Sequence, residues 1–308
     1  MPLHPQAEML MTLMAPIAEG FKGGDRTPED ARAAMNISAA TEPLPVHRVD
    51  DQVAAGVPVR VYWPSAATDL PILVWLHGGG WVIGSVETHD FICRQLCNDT
   101  GAIVVSVDYR LAPEHKFPAA VDDCVAAWRW VNEHAADLGG DPDRIALGGD
   151  SAGGNLAAVV SLVAREERLP APSLQLLVYP VTDYEFESAS MVDNAEGYFL
   201  EAEGMRWFWG HYRTCEEDCD DWRFSPLRAS DHAGLPRAVV ITAEFDPLRD
   251  QGEAYGRVLQ QAGVDVEVLR VDGVFHGFFG MHLFLEPAQQ AWDLSVSSVR
   301  DACGMVDA

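Results

Sequence analysis

Seven short apolar runs recur between Val57 and Val271: VPVRVYW, PILVWL, AIVVSV, RIALGG, LQLLVYP, AVVITA and VDVEVLRV. Several lack alternation and are rich in β-branched residues, the pattern of strands buried on both faces. Between and after them lie stretches of helical character, at Thr88 to Thr100, Phe117 to Leu138, Ala152 to Glu167, Pro247 to Ala262 and Glu286 to Arg300. Strand alternating with helix requires right-handed crossovers, and therefore an α/β fold with a mostly parallel sheet covered on both faces. The run VPVRVYW does alternate, as an antiparallel edge hairpin would. No internal repeat is present.

The rhythm breaks once, from Asp183 to Trp222, where aromatics fall at irregular helical spacing and no strand is readable. This segment, 183–222, is expected to be an inserted helical cap. Met9, Leu10, Leu13, Met14 and Ile17 recur at helical spacing, so the first twenty residues read as an amphipathic helix, and 1–45 as the N-terminal part of the cap. The sheet domain is then 46–182 and 223–308. A cap over the carboxyl edge of such a sheet covers the crevice where ligands bind.

Composition narrows the function. A chain of 308 residues suits one large α/β domain with an accessory piece. Its 47 acidic against 21 basic residues give a formal net charge of -26, which repels phosphate backbones and anionic membranes; a nucleic-acid partner is not expected. Lys22 and Lys116 are the only lysines, a bias that fits either genomic base composition or a saline habitat. The N-terminus does not read as a secretory signal and no apolar run is long enough to span a bilayer, so a cytoplasmic location is the expectation. Cys93 and Cys97, like Cys215 and Cys219, stand four apart without completing a zinc pattern. They read as free thiols, with a disulfide or fortuitous metal site left open for the second pair.

Chemistry concentrates in RIALGGDSAGGNLAAVV, a strand, turn and helix in which Gly149 to Gly153 fit the G-x-S-x-G elbow. The elbow exposes the Ser151 hydroxyl, and the helix behind it presents free amides and partial positive charge. A serine needs a base to take its proton. Asp246 follows the run AVVITA and His276 follows the next, so an acid and a histidine emerge after strands on the same edge as Ser151. Asp250 and His282 compete for these roles, but Asp250 falls within the helix that Pro247 begins. The triad expected is Ser151, Asp246 and His276. The run HGGGW, directly after PILVWL, places Gly78, Gly79 and Gly80 where backbone amides can approach a developing oxyanion without a side chain in the way. Gly79, Gly80 and Ala152 are the expected donors, with Gly78 shaping the loop and His77 bracing it. Trp81, Asp150 and Tyr179 are expected at the substrate pocket, with some of Tyr198, Phe199, Trp207, Phe208 and Trp209.

Together HGGGW, DYRLAPEHKFPAAVDD, GDSAGGN, DPLRD and HGF resemble the hormone-sensitive-lipase-like branch of the α/β-hydrolase esterases. The resemblance runs from Val57 to the end of the chain. It implies an α/β-hydrolase fold with a helical cap and a carboxylesterase that cleaves short-to-medium acyl esters through a Ser-His-Asp triad and an acyl-enzyme, without metal or organic cofactor. It also implies that Asp150, Tyr109 to Glu114, and Asp122 or Asp123 support the site. The expected partner is a small-molecule ester. A lactonase, an amidase or peptidase on the same triad, and a non-catalytic ligand-binding protein are the alternatives. An edge strand near the chain's end could pair across a two-fold axis in a homodimer.

Overall fold

One eight-stranded sheet, ordered β1-β2-β4-β3-β5-β6-β7-β8, organises the computed structural model, which describes residues 2–18, 26–36 and 43–305. The strands are β1 (Arg48–Ala54), β2 (Val57–Trp63), β3 (Leu70–Leu76), β4 (Ile103–Val107), β5 (Gly140–Asp150), β6 (Gln175–Val178), β7 (Ala238–Phe245) and β8 (Val266–Phe275). Pairing from β4 through β8 is parallel, and β1 and β2 are the antiparallel exceptions. The fold is that of the α/β hydrolases, as the sequence predicts. The hairpin read from VPVRVYW forms between β2 and β1, whose sequence RVDDQVA is too polar and exposed to read as a strand.

Helices α4 (Asp90–Thr100), α5 (Ala119–His134), α6 (Ala152–Glu166), α9 (Arg249–Gln261) and α10 (Glu286–Ala302) fill the predicted helical stretches. The sheet divides two apolar cores. One packs Leu147, Leu156, Val160 and Trp128; the other packs Trp75, Leu96, Phe279 and Trp292. Helix α6 is buried along almost its whole length, so the serine elbow at its start is held from both sides.

The segment 183–222 contains α7 (Ala189–Asp193), α8 (Ala202–Tyr212) and a 3-10 turn at Glu216–Asp220, and no strand. The N-terminal segment contributes α1 (Pro5–Leu13), α2 (Ala15–Ala18) and α3 (Pro28–Asn36). Residues 19–25 and 37–42 of the expected cap segment, with the Ile17 side chain, lie outside what is described. α1 docks beside β8 through His4 N–H to Gly273 O, while Gln6 Oε1 accepts the Glu286 N–H. Arg32 of α3 donates to Val82 O and Ala112 O and forms a bidentate pair with Glu114. Among the described residues no helix is long and apolar enough to cross a membrane, and no cluster of three or more His, Cys, Asp or Glu could hold a metal ion. All six cysteines are free. Burial pushes the Cys97 thiol up to about 12 and holds the Cys93 and Cys124 thiols protonated.

Candidate active site

Parallel strands bring four loops to one edge: Ser151 follows β5, Asp246 follows β7, His276 follows β8 and the glycine run follows β3. Ser151 sits at φ 56, ψ -116, a strained conformation for a non-glycine residue that aims its side chain out of the turn. Its N–H donates to Val178 O at 2.8 Å. The flanking glycines are required by space, since a Cβ at Gly149 would overlap the Gly153 backbone and one at Gly153 would strike the Leu76 carbonyl.

His276 Nε2 lies 3.0 Å from Ser151 Oγ, and its Nδ1 lies 2.7 Å from Asp246 Oδ2. A proton on Nδ1 facing the carboxylate leaves Nε2 as the acceptor for the serine hydroxyl. Asp246 is fully buried, and its other oxygen accepts the Leu248 N–H at 2.8 Å. Asn194, within 183–222, donates to the backbone carbonyls of Glu244 and Asp246 and so ties this loop to that segment. The competitors are occupied elsewhere. Asp250 accepts the Ser190 N–H and pairs with Arg249, while the His282 ring stacks on Trp292 at 3.9 Å.

The glycine run folds back on itself, with the N–H groups of Val82 and Ile83 donating to Gly79 O. Gly78 N–H is engaged by Asp150 Oδ1 at 3.1 Å, so this residue shapes the loop. The amides of Gly79, Gly80 and Ala152 have no acceptor among the described residues. His77 is fully buried, stacks on Tyr109 at 4.2 Å and bonds Gly78 O through Nδ1; burial pushes its pKa down to about 3, so it braces the loop as a neutral ring. Gly79 holds φ 122, and a Cβ there would overlap the Ile83 carbonyl. Gly79→Ala is therefore expected to lower kcat by about 10²- to 10³-fold, the usual effect of losing one oxyanion donor, with the melting temperature as control.

His89 is a site residue that the sequence reading missed. Its Nε2 lies 3.4 Å from Asp150 Oδ2, and its Nδ1 lies 3.0 Å from Thr88 Oγ1. Burial works to raise the Asp150 carboxyl, but the facing imidazole, its hydrogen bond and the Gly78 amide outweigh it and hold the group below the ordinary carboxylate range. The only sequence signal was the histidine placed just before α4, where nothing apolar explains it.

A cavity of about 290 Å³ opens over Ser151 and His276. Asp150, Tyr179 and the three glycines line it, with the Tyr179 ring 4.5 Å from that of His276. Its apolar wall includes Met14, Met35, Phe199, Met205, Phe208 and Met281. Trp81, expected at the pocket, is not on this wall. It is fully buried and stacked between the glycine run and α8, because the left-handed turn after Gly80 swings the indole away from the serine. Tyr198, Trp207 and Trp209 also pack away from the cavity: Tyr198 against Phe245, Trp207 against Phe208 and His211, and Trp209 in the Trp81 stack. A larger hollow of about 840 Å³, lined by charged groups such as Arg32, Asp108 and Glu114, shares no residue with this one.

A serine, an aspartate and a histidine that follow β5, β7 and β8 in this chain order, hydrogen-bonded from Ser151 through His276 to Asp246 beside a glycine run that lines the same cavity, define the class as a serine α/β hydrolase. A profile of the α/β-hydrolase fold family matches residues 73–280. The chain belongs to that family, in its hormone-sensitive-lipase-like branch of carboxylesterases. It is 46% identical over 234 residues to carboxylic ester hydrolase LipN of Mycobacterium tuberculosis, covering 74% of this chain and 62% of that protein. With carboxylesterase NlhH of the same species identity is 41% over 285 residues, or 89% of each chain. A solved ester hydrolase from the metagenome of Lake Arreo, complexed with a bipyridine phosphonate derivative, superposes with a TM-score of 0.91 at 42% identity, covering 98% of this chain and 99% of that one.

Proposed function

We propose that this carboxylic ester hydrolase cleaves neutral esters of short-to-medium acyl chains through an acyl-enzyme on Ser151. The observation that carries the reading is the continuous hydrogen-bonded chain from Ser151 Oγ through His276 to Asp246, opening onto an apolar cavity beside three unengaged amides. His276 Nε2 takes the hydroxyl proton as Ser151 Oγ attacks the carbonyl carbon. The carbonyl oxygen becomes an oxyanion facing the amides of Gly79, Gly80 and Ala152. On collapse, His276 returns the proton to the leaving alcohol. Water, deprotonated by the same nitrogen, then attacks the acyl carbon, and as the Ser151 Oγ–acyl bond breaks His276 returns that proton to Oγ and the acid leaves. Every proton and electron pair in this cycle is handled by the chain and the two substrates, so no cofactor is called for.

Size and charge define the substrate. A volume of about 290 Å³ is at the lower end for ligand pockets, which favours short acyl chains. Among the described residues the lining carries no lysine or arginine, and its one carboxylate, Asp150, is held ionised; an anionic ester finds no counter-charge there. A series of p-nitrophenyl esters from acetate to palmitate tests this. Turnover should peak at short to medium chains and collapse at palmitate. Equal or rising turnover toward palmitate would refute the size argument, and no turnover on any member would refute the ester reading.

A further inference from the structure

Ring contacts join the glycine run to the cap in a way that ester cleavage alone does not require. Trp81 follows Gly80 with its backbone at φ 61, in the left-handed region that bulky residues rarely enter. Such a conformation persists only where its surroundings over-determine it. Here the surroundings are largely α8. The Trp81 indole lies parallel to the Tyr212 ring, centroids 4.4 Å apart and planes 2° apart, and rests on Trp209 at 4.6 Å. One turn earlier on the helix, the Phe208 ring packs so closely on Gly80 that a Cβ there would overlap it. On the other side, Trp81 O accepts the Ala112 N–H at 2.8 Å. Phe208 and Met205 of the same helix also line the cavity, so α8 meets both the substrate space and the loop beside it.

We propose that Trp81 and Tyr212 are positioning residues: the stack between them fixes the loop that carries the Gly79 and Gly80 amides, so that α8 sets the rate of acyl transfer as well as access. This rests on the acyl-enzyme reading above. Oxyanion donors act only when already in place, and a displacement of about 1 Å can cost about a hundredfold in rate. The loop has three neighbouring positive-φ residues, Gly79, Gly80 and Trp81, and only the last has a side chain with which to hold them.

The Tyr212 hydroxyl is buried without a hydrogen-bond partner among the described residues, so Tyr212→Phe keeps the whole contact and should match the wild type in kcat. Tyr212→Leu removes the ring. It is expected to lower kcat on p-nitrophenyl butyrate by about ten- to a hundredfold with KM little changed, and to weaken a boronic acid, which mimics the tetrahedral state, by a similar factor. Tyr212→Met, which fills the space without a ring, replaces the leucine variant if that one unfolds. Wild-type kcat in a folded variant without the ring, or a rise in KM alone, would overturn the proposal in favour of a cap that only screens access. Failure of the acyl-enzyme reading is visible separately, as no acyl group on Ser151 of the wild type in rapid-quench samples.

Discussion

Ser151→Ala is expected to lower kcat on p-nitrophenyl butyrate by about 10⁶-fold, the loss typical of removing a triad nucleophile, while leaving the protein folded. The substitution deletes one oxygen. The backbone features that hold the elbow, the Ser151 N–H to Val178 O and the close approach of Gly149 to Gly153, do not depend on it. Melting should therefore stay near wild type, and substrate should still bind, because the cavity wall is unchanged. What activity remains would come from the oxyanion amides and from holding the ester near water. Turnover within tenfold of wild type would mean that another group attacks the ester.

Asp246→Asn should cost about 10⁴-fold in kcat, for a different reason. The carboxylate holds a proton on His276 Nδ1, 2.7 Å away, and faces the charge that the imidazole gains during the reaction. An amide in its place can turn its NH₂ toward Nδ1, which then becomes the acceptor and puts the proton on Nε2, where it blocks removal of the serine proton. The neighbouring carboxylate supplies the control. Asp250 accepts the Ser190 N–H, which fastens α7 to α9, and pairs with the adjacent Arg249 guanidinium, so Asp250→Asn should change stability more than kcat. If Asp250→Asn proved the more damaging of the two to kcat, the acid would have been assigned to the wrong residue.

Much of this site was legible because each of its parts follows a strand. Chain order and a parallel sheet together determine which loops share an edge, so Ser151, Asp246, His276 and the glycine run could be grouped before any distance was known. Side-chain direction was less legible. Trp81 sits beside the glycine loop, yet it faces the core, because three successive positive-φ residues reverse the chain there, and only glycine advertises that conformation in a sequence. On α8, Met205 and Phe208 reach the cavity while Trp207 and Trp209 do not. All four are large and apolar, and the choice of face depends on how α8 packs against the rest of the chain. Met14, at the turn between α1 and α2, and Met35 of α3 enter the wall by the same non-local route, from an N-terminal segment that the sequence assigns only to a cap. β1 escaped notice because an edge strand with one partner keeps its acids in water and loses the apolar pattern.

A covalent acyl intermediate on Ser151 can be caught by rapid quenching of the wild type with p-nitrophenyl butyrate, followed by mass mapping of its peptides. The expected result is a burst of nitrophenol matched by one butyryl group on the peptide containing Ser151, and none on that peptide in Ser151→Ala. A butyryl group on a different side chain during turnover, or steady hydrolysis with a blocked Ser151, would show that Ser151 is not the nucleophile.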